Sequence, residues 1–147
     1  MIQRDVIERH LQDMAAMLAE LERHSGKTPD ELRADQTALL AVEHALQRAI
    51  QNLLDIALHL LAGLGINDWD DYRGAILKLG QTQVIPLDFS ERICDMAGTR
   101  NILVHGYIEV DAERIQEVLA HRLNDFRDFA RYVVEYLEDS RGDDAEG

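Results

Sequence analysis

The sequence has only one cysteine, Cys94, and therefore lacks the pair that an intrachain disulfide needs. This cysteine usage favours a reducing compartment. Long hydrophobic runs are also missing: the most apolar stretch, residues 53–64, is interrupted by Asp55 and His59 and is too short to span a bilayer. At the N-terminus no basic flank precedes an apolar segment, so we expect no signal peptide, no membrane association and a cytoplasmic location.

Positive charge is scarce in this chain. Fifteen lysines and arginines face 28 aspartates and glutamates, which gives a net charge of −13, and only two of the cations are lysine. Residues 135–147 hold six acids and one arginine, yet the rest of the chain is still acidic. Nucleic-acid binders normally show a basic stripe that neutralises phosphates. The composition therefore argues against broad nucleic-acid binding and favours a basic or neutral protein partner.

Proline is rare as well, with two in 147 residues, and no segment alternates steadily between polar and apolar residues. This pattern is typical of an all-helical protein the size of one domain. Apolar spacings of three and four predict helices over residues 2–25, 29–62, 70–79, 88–106 and 111–139. Short connections indicate antiparallel neighbours, so we predict an all-α, up-and-down bundle of four to five helices. We assign residues 1–139 to one domain and 140–147 to an acidic, frayed tail.

The predicted helix starts rest on capping residues. Residues 28–31 form a capping box, with Pro29 at the first helical position, and the helix that follows is expected to run unbroken to residue 62. Asp88 and Asp111 are predicted to cap the fourth and fifth helices.

The second half of the long helix, residues 53–61, is apolar nearly all round. It is therefore predicted to be buried on more than one side, at a bundle centre or a dimer interface. Asp55 and His59 interrupt it, one helical turn apart. Such a pair is typical of a satisfied internal contact. The alternative is that both side chains line a site from behind, so we name them as supporting candidates.

An arginine and a histidine with four residues between them stand at Arg100 and His105. Histidine titrates near neutral pH and can take a proton from a ribose 2′-hydroxyl or give one to the leaving oxygen. A guanidinium can hold a phosphate through two parallel hydrogen bonds. The spacing alone carries little weight, because thirteen arginines and six histidines also produce similar spacings elsewhere, at Arg4–His10 and Arg114–His121.

The residues around this pair distinguish it from the other two. Asn101 lies four residues before His105, on the same helical face, where its amide can orient the imidazole or bind a substrate. Tyr107 follows Arg100 by seven residues and shares its stripe if the helix continues through Gly106. If Gly106 ends the helix, Tyr107 lies on the exit turn with its hydroxyl accessible. An arginine, an amide, an imidazole and a phenol are thus predicted to gather at one helix end.

The run Arg-Asn-x-x-x-His-x-Tyr over residues 100–107 closely resembles the signature of HEPN domains of the HepT-like group. General similarity of pattern extends over nearly the whole chain. The resemblance implies a helical homodimer in which the Arg-x4-His motifs of two protomers face one cleft. It implies that Arg100 and His105 are catalytic and that Asn101 supports them. The implied activity is that of a ribonuclease toxin that needs no metal and no cofactor; the histidines show no metal-ligand spacing such as HExxH.

The resemblance also implies a partner, a minimal nucleotidyltransferase antitoxin of the MntA type. Such a partner neutralises the toxin by transferring AMP from ATP to the motif tyrosine, here Tyr107. An acidic ribonuclease can still bind RNA where a dimer concentrates two copies of Arg100, so we expect a restricted, structured substrate such as tRNA. Two other hypotheses stay open: a non-catalytic HEPN nucleotide-binding or adaptor module that partners a nucleotidyltransferase, and a purely structural helical dimer.

Overall fold

The computed structural model describes residues 1–105 and 111–146, with the backbone alone at residues 102, 104–105 and 141–146. These ranges form eight α-helices and contain no strand. Among these helices, none is both long and apolar enough to cross a membrane. In chain order the helices are α1 Arg4–Glu22, α2 Pro29–Ala34, α3 Gln36–Gly63, α4 Tyr72–Gln81, α5 Leu87–Ile93, α6 Met96–His105, α7 Ala112–His121 and α8 Leu123–Glu146.

All five predicted helical stretches are present within the described residues, and the all-α class is confirmed; the predicted terminator Gly106 lies outside those residues. The predicted continuity of the second stretch is wrong, because α2 ends at Ala34 and α3 begins at Gln36. Between them Asp35 adopts an extended conformation (φ −119°, ψ 90°), and its carboxylate accepts a hydrogen bond from the Ala38 amide at 3.1 Å. The aspartate thus ends one helix and caps the next. The capping box between Thr28 and Glu31 is formed as predicted.

The fourth and fifth stretches are also divided. The fourth begins at Leu87, directly after Pro86, and Asp88 does not cap it, since its carboxylate accepts only from the neighbouring Phe89 amide at 2.9 Å. It is interrupted at residues 94–95, between α5 and α6. Asp111 caps α7 as predicted, accepting from the Glu113 amide, and the fifth stretch then breaks before α8.

Helix α3 is the centre of the bundle and packs against α1, α2, α4, α6 and α8. Its pairing with α1 is antiparallel. The Met1 ammonium donates to the Gly63 carbonyl at 2.9 Å. His10, nine residues after Met1, contacts Asn52, eleven residues before Gly63. In the second half of α3 Leu58 is half-buried, whereas six apolar residues are buried within this one chain: Leu53, Leu54, Ile56, Ala57, Leu60 and Leu61. The bundle centre therefore accounts for most of the apolar surface of this segment.

Helices α4 and α5 contact each other through Gly80 and the buried Ser90. A Cβ added at Gly80 would overlap Ser90 Oγ, lie 2.6 Å from Ser90 Cβ and lie 3.2 Å from the Leu87 Cα.

We expect Gly80→Ala to lower the free energy of unfolding by about 1–3 kcal/mol, because α5 must shift. Gly98 in α6 has no such neighbour within 4 Å, and Gly98→Ala is expected to raise that free energy by about 0.5–1 kcal/mol. Urea unfolding measures both; equal effects would contradict the close packing.

Candidate functional site

Helix α6 carries the first part of the sequence motif, and it packs against α3 and α4. Arg100 is half-buried and Asn101 is exposed. His105 is the last residue of α6, one helical turn beyond Asn101 and therefore on the same face of the helix. The side chain of His105 and the whole of Tyr107 lie outside the part of the chain that the structure describes, so their predicted roles stay predictions.

The guanidinium of Arg100 is held from three sides. Its Nε donates to Gln51 Oε1 on α3 at 3.0 Å, and its Nη1 donates to Asn101 Oδ1 at 3.4 Å. Its Cζ lies 5.4 Å from the centroid of the Tyr72 ring, at the start of α4. A cation over an aromatic face is stabilised by the ring quadrupole. The arginine is thus fixed between α3, α4 and its own helix, and Asn101 contacts it directly.

The supporting candidate Asp55 reaches Arg100 through Gln51. The Gln51 amide donates through Nε2 to Asp55 Oδ1 at 2.9 Å while its oxygen accepts from Arg100. Gln51 was not predicted from the sequence. A glutamine four residues before an aspartate on one helix is a frequent pattern, and nothing local connects it to an arginine 49 positions later.

The second supporting candidate, His59, faces α1. Its ring lies against that of His10, with the centroids 5.7 Å apart, while Asp55 contacts Gln51 instead of His59. His10 Nδ1 donates to Asn52 Oδ1 at 2.9 Å, and the Asn52 amide donates to Asp13 Oδ2 at 2.6 Å. The polar residues of α3 therefore form two separate sets of contacts. Gln51 and Asp55 face α6, whereas Asn52 and His59 face α1.

An ion-pair cluster ties the beginning of α6 to the α7–α8 junction. Arg122 donates to both oxygens of Asp95 at 3.0 and 3.2 Å and, through Nε, to Asp125 Oδ2 at 2.7 Å. Asp125 is fully buried, and its other oxygen lies 2.6 Å from Arg92 Nη2. The hydrogen bonds from Arg122 hold the pKa of Asp95 below its ordinary value, and those carboxylates raise the pKa of Arg122 above its own. This cluster links the residue before α6 to the α7–α8 junction.

A polar cleft of about 460 Å³ lies between the start of α6 and α7. Its lining contains more carboxylates than guanidiniums: Asp95, Thr99, Asp111, Glu113, Arg114, Glu117, Val118 and Arg122. The acidic balance makes this cleft a poor phosphate site. Across the described residues, no group of three or more histidines, cysteines, aspartates or glutamates is arranged to hold a metal ion.

Comparison with known proteins gives consistent results. The family model described as Ribonuclease HepT-like matches residues 4–133. The chain is 25% identical over 132 residues to a tRNA nuclease HepT from Aphanizomenon flos-aquae, covering 90% of both proteins. It is 32% identical over 84 residues to an mRNA nuclease HepT from Shewanella oneidensis, covering 57% of this chain and 63% of the relative.

A solved structure of a tri-AMPylated HEPN toxin from Shewanella oneidensis, in complex with an MNT antitoxin, is similar with a TM-score of 0.79 at 24% identity. The similarity covers 89% of this chain and 98% of that one, so the two share a fold. These results confirm the family and the enzyme class that the motif at residues 100–107 predicted. The chain belongs to the HepT-like ribonuclease family.

Proposed function

We propose that this chain is the ribonuclease toxin of a HepT/MntA-type toxin–antitoxin system, with Arg100 and His105 as its catalytic residues. The assignment of the site depends on one observation: the guanidinium of Arg100 is held in a fixed position. It is held at Nε by Gln51 and over the Tyr72 ring, five residues before His105 on the same helix. A fixed permanent cation and a histidine are the two groups that the proposed metal-independent phosphodiester cleavage uses.

The reaction we propose is an internal transesterification of RNA. His105 takes the proton of a ribose 2′-hydroxyl, and the 2′-oxygen attacks the adjacent phosphorus. Arg100 holds the non-bridging phosphate oxygens through its Nη atoms while negative charge builds on them. The bond from phosphorus to the 5′-oxygen breaks, and that oxygen takes up the proton that the histidine removed from the 2′-hydroxyl. The products are a 2′,3′-cyclic phosphate and a 5′-hydroxyl end, and no metal ion is needed.

The cleft is proposed to lie between two copies of the chain. One copy contributes one Arg100 to a molecule with a net charge of −13, which gives little attraction for RNA. Two arginines facing one cleft create a local positive field on an acidic surface. Such a site suits one structured RNA better than RNA in general. Among the named relatives, the tRNA nuclease aligns with 90% of this chain and the mRNA nuclease with 57%, which favours tRNA.

The proposed partner is a minimal nucleotidyltransferase that transfers AMP to Tyr107. The solved HEPN toxin with the same fold is AMPylated and bound to an MNT antitoxin, which supports both parts of this proposal. A phosphodiester-linked AMP on Tyr107 would bring negative charge and bulk within a few residues of His105. It would compete with RNA phosphate for Arg100. Such a system acts in the cytoplasm, where tRNA and ATP are both present.

The test is cleavage without metal. The chain is produced without its partner, purified in EDTA and mixed with tRNA and with an unstructured mRNA fragment of equal length. We expect tRNA to be cut faster, and the new ends to be 2′,3′-cyclic phosphates. A folded protein that binds nucleotide or a nucleotidyltransferase but cuts neither RNA would instead identify the non-catalytic HEPN module. Cleavage only after a divalent metal is added would contradict the proposed chemistry.

A further inference from the structure

We propose that Gln51 and Asp55 form a positioning pair for Arg100, in which Asp55 sets the orientation of the Gln51 amide and Gln51 orients the guanidinium. The pair rests on the proposed function, since Arg100 is taken to bind the scissile phosphate. Gln51 and Asp55 stand one turn apart on α3, the central helix of the bundle, and α6 packs directly on it. Neither residue is taken to touch RNA.

The orientation of the Gln51 amide follows from its two neighbours. Asp55 is a carboxylate and accepts hydrogen bonds, so it attracts the NH2 end of the amide, at 2.9 Å. Arg100 has only donors, so it requires the oxygen end, at 3.0 Å. A flipped amide would point its oxygen at a carboxylate and its NH2 group at a guanidinium. Both hydrogen bonds involve an ionised group, which makes them stronger than neutral ones.

The contacts leave the phosphate-binding edge of Arg100 open. Nε is occupied by Gln51, and Cζ lies over the ring of Tyr72, 5.4 Å from its centroid. Nη1 makes only a long hydrogen bond to Asn101, at 3.4 Å, and no contact with Nη2 is found within the described ranges. The two terminal nitrogens therefore keep N–H groups that can donate to a phosphate, and the side chain is already ordered, which reduces the entropy lost when RNA binds.

The residue type at position 51 is specific to this role. An amide oxygen orients a guanidinium without neutralising it. A carboxylate at the same place would form an ion pair with Arg100, which would then bind a phosphate less well. Asp55 supplies the acceptor oxygen that fixes the arrangement, and the amide separates this carboxylate from the arginine. The guanidinium keeps its full positive charge for the substrate.

The first test compares Gln51→Glu with Gln47→Glu. Both add one negative charge to α3, one turn apart, and Gln47 is partly exposed. We expect Gln51→Glu to lower kcat/KM for tRNA cleavage by about 10- to 100-fold, with a raised KM, because the phosphate clamp is neutralised. Gln47→Glu should stay within about twofold of the wild type, since a screened surface charge has a small effect. Equal losses in the two variants would overturn the proposal.

The second test compares Asp55→Asn with Asp55→Ala. The asparagine oxygen still accepts from Gln51, so this variant should retain cleavage within about threefold. Alanine removes the acceptor and frees the amide, so cleavage should fall by about tenfold or more. If the charge of Asp55 or a proton transfer by it were what matters, the two variants would lose activity equally, and the positioning role would be wrong.

A third measurement does not depend on ribonuclease activity. The ¹⁵Nε–¹H signal of Arg100 reports the hydrogen bond to Gln51 directly. We expect slow solvent exchange of this proton in the wild type and in Asp55→Asn, and fast exchange in Asp55→Ala and Gln51→Met. An unchanged exchange rate in Gln51→Met would overturn the proposal. If the wild type shows slow exchange but cuts no RNA, the proposed function fails while the positioning pair stands. Thermal unfolding of each variant checks that it is folded.

Discussion

Replacement of His105 with alanine is expected to lower kcat for RNA cleavage by about 10³-fold, within the range that general acid–base catalysis contributes. The physical reason is that no other group at this helix end is proposed to move the proton. Arg100 is a permanent cation and cannot act as a base. Asn101 does not titrate, and its oxygen already accepts from Arg100. Binding of RNA depends on Arg100, so KM should change much less than kcat.

The matched control for this experiment is His121→Ala. His121 is exposed at the C-terminal end of α7, so it has the same residue type in the same position on a helix. It also follows an arginine, Arg114, at a spacing similar to that of the motif. This variant should cut tRNA like the wild type. Both proteins should unfold at nearly the wild-type temperature. Full cleavage by a folded His105→Ala protein would end the assignment of His105 as the catalytic base.

The helices of this protein could be predicted from the sequence because the signals that form them are local. Apolar spacing and caps such as Thr28 and Asp111 act within one or two turns. The helix breaks are harder to predict because they depend on distant contacts. The break before α8 places Arg122 against Asp95, 27 positions earlier, and against the buried Asp125. The spacing of apolar residues within the fifth stretch does not predict these contacts.

The apolar second half of α3 illustrates a different limit. Its composition is equally compatible with a bundle centre and with a dimer interface. Only the positions of the neighbouring helices decide between them, and the single chain already buries Leu53, Leu54 and Leu60 completely. These three side chains are therefore not available to the proposed dimer, and the case for it comes from the family and from the need to concentrate Arg100.

Only those residues of the candidate site that lie close together in the sequence could be predicted. Arg100, Asn101, His105 and Tyr107 stand within eight consecutive residues, so a motif can identify them. Gln51 could not be found in this way, because its role depends on α3 and α6 lying side by side. Asp55 was named as a supporting candidate from its helical neighbour His59. The structure gives it a different partner, Gln51, and this partner connects it to the arginine.

Replacement of Tyr107 with phenylalanine is expected to abolish neutralisation by the partner nucleotidyltransferase. In the proposed transfer, the tyrosine hydroxyl oxygen attacks the α-phosphorus of ATP, loses its proton and displaces pyrophosphate. Phenylalanine keeps the ring and removes only that oxygen, so no AMP can be attached. Cells that express the wild-type chain with the partner should grow, whereas cells that express Tyr107→Phe with the same partner should remain arrested.

The control for this prediction is Tyr136→Phe, on a half-buried tyrosine of α8 far along the chain from the motif. That variant should still be neutralised, and its intact mass should still increase by one or more AMP groups. The Tyr107→Phe protein should show no such increase. If Tyr107→Phe is neutralised and carries AMP on another residue, Tyr107 is not the acceptor. If it is neutralised without any added mass, the partner acts by binding alone, and inhibition must then come from covering the cleft instead of changing its charge.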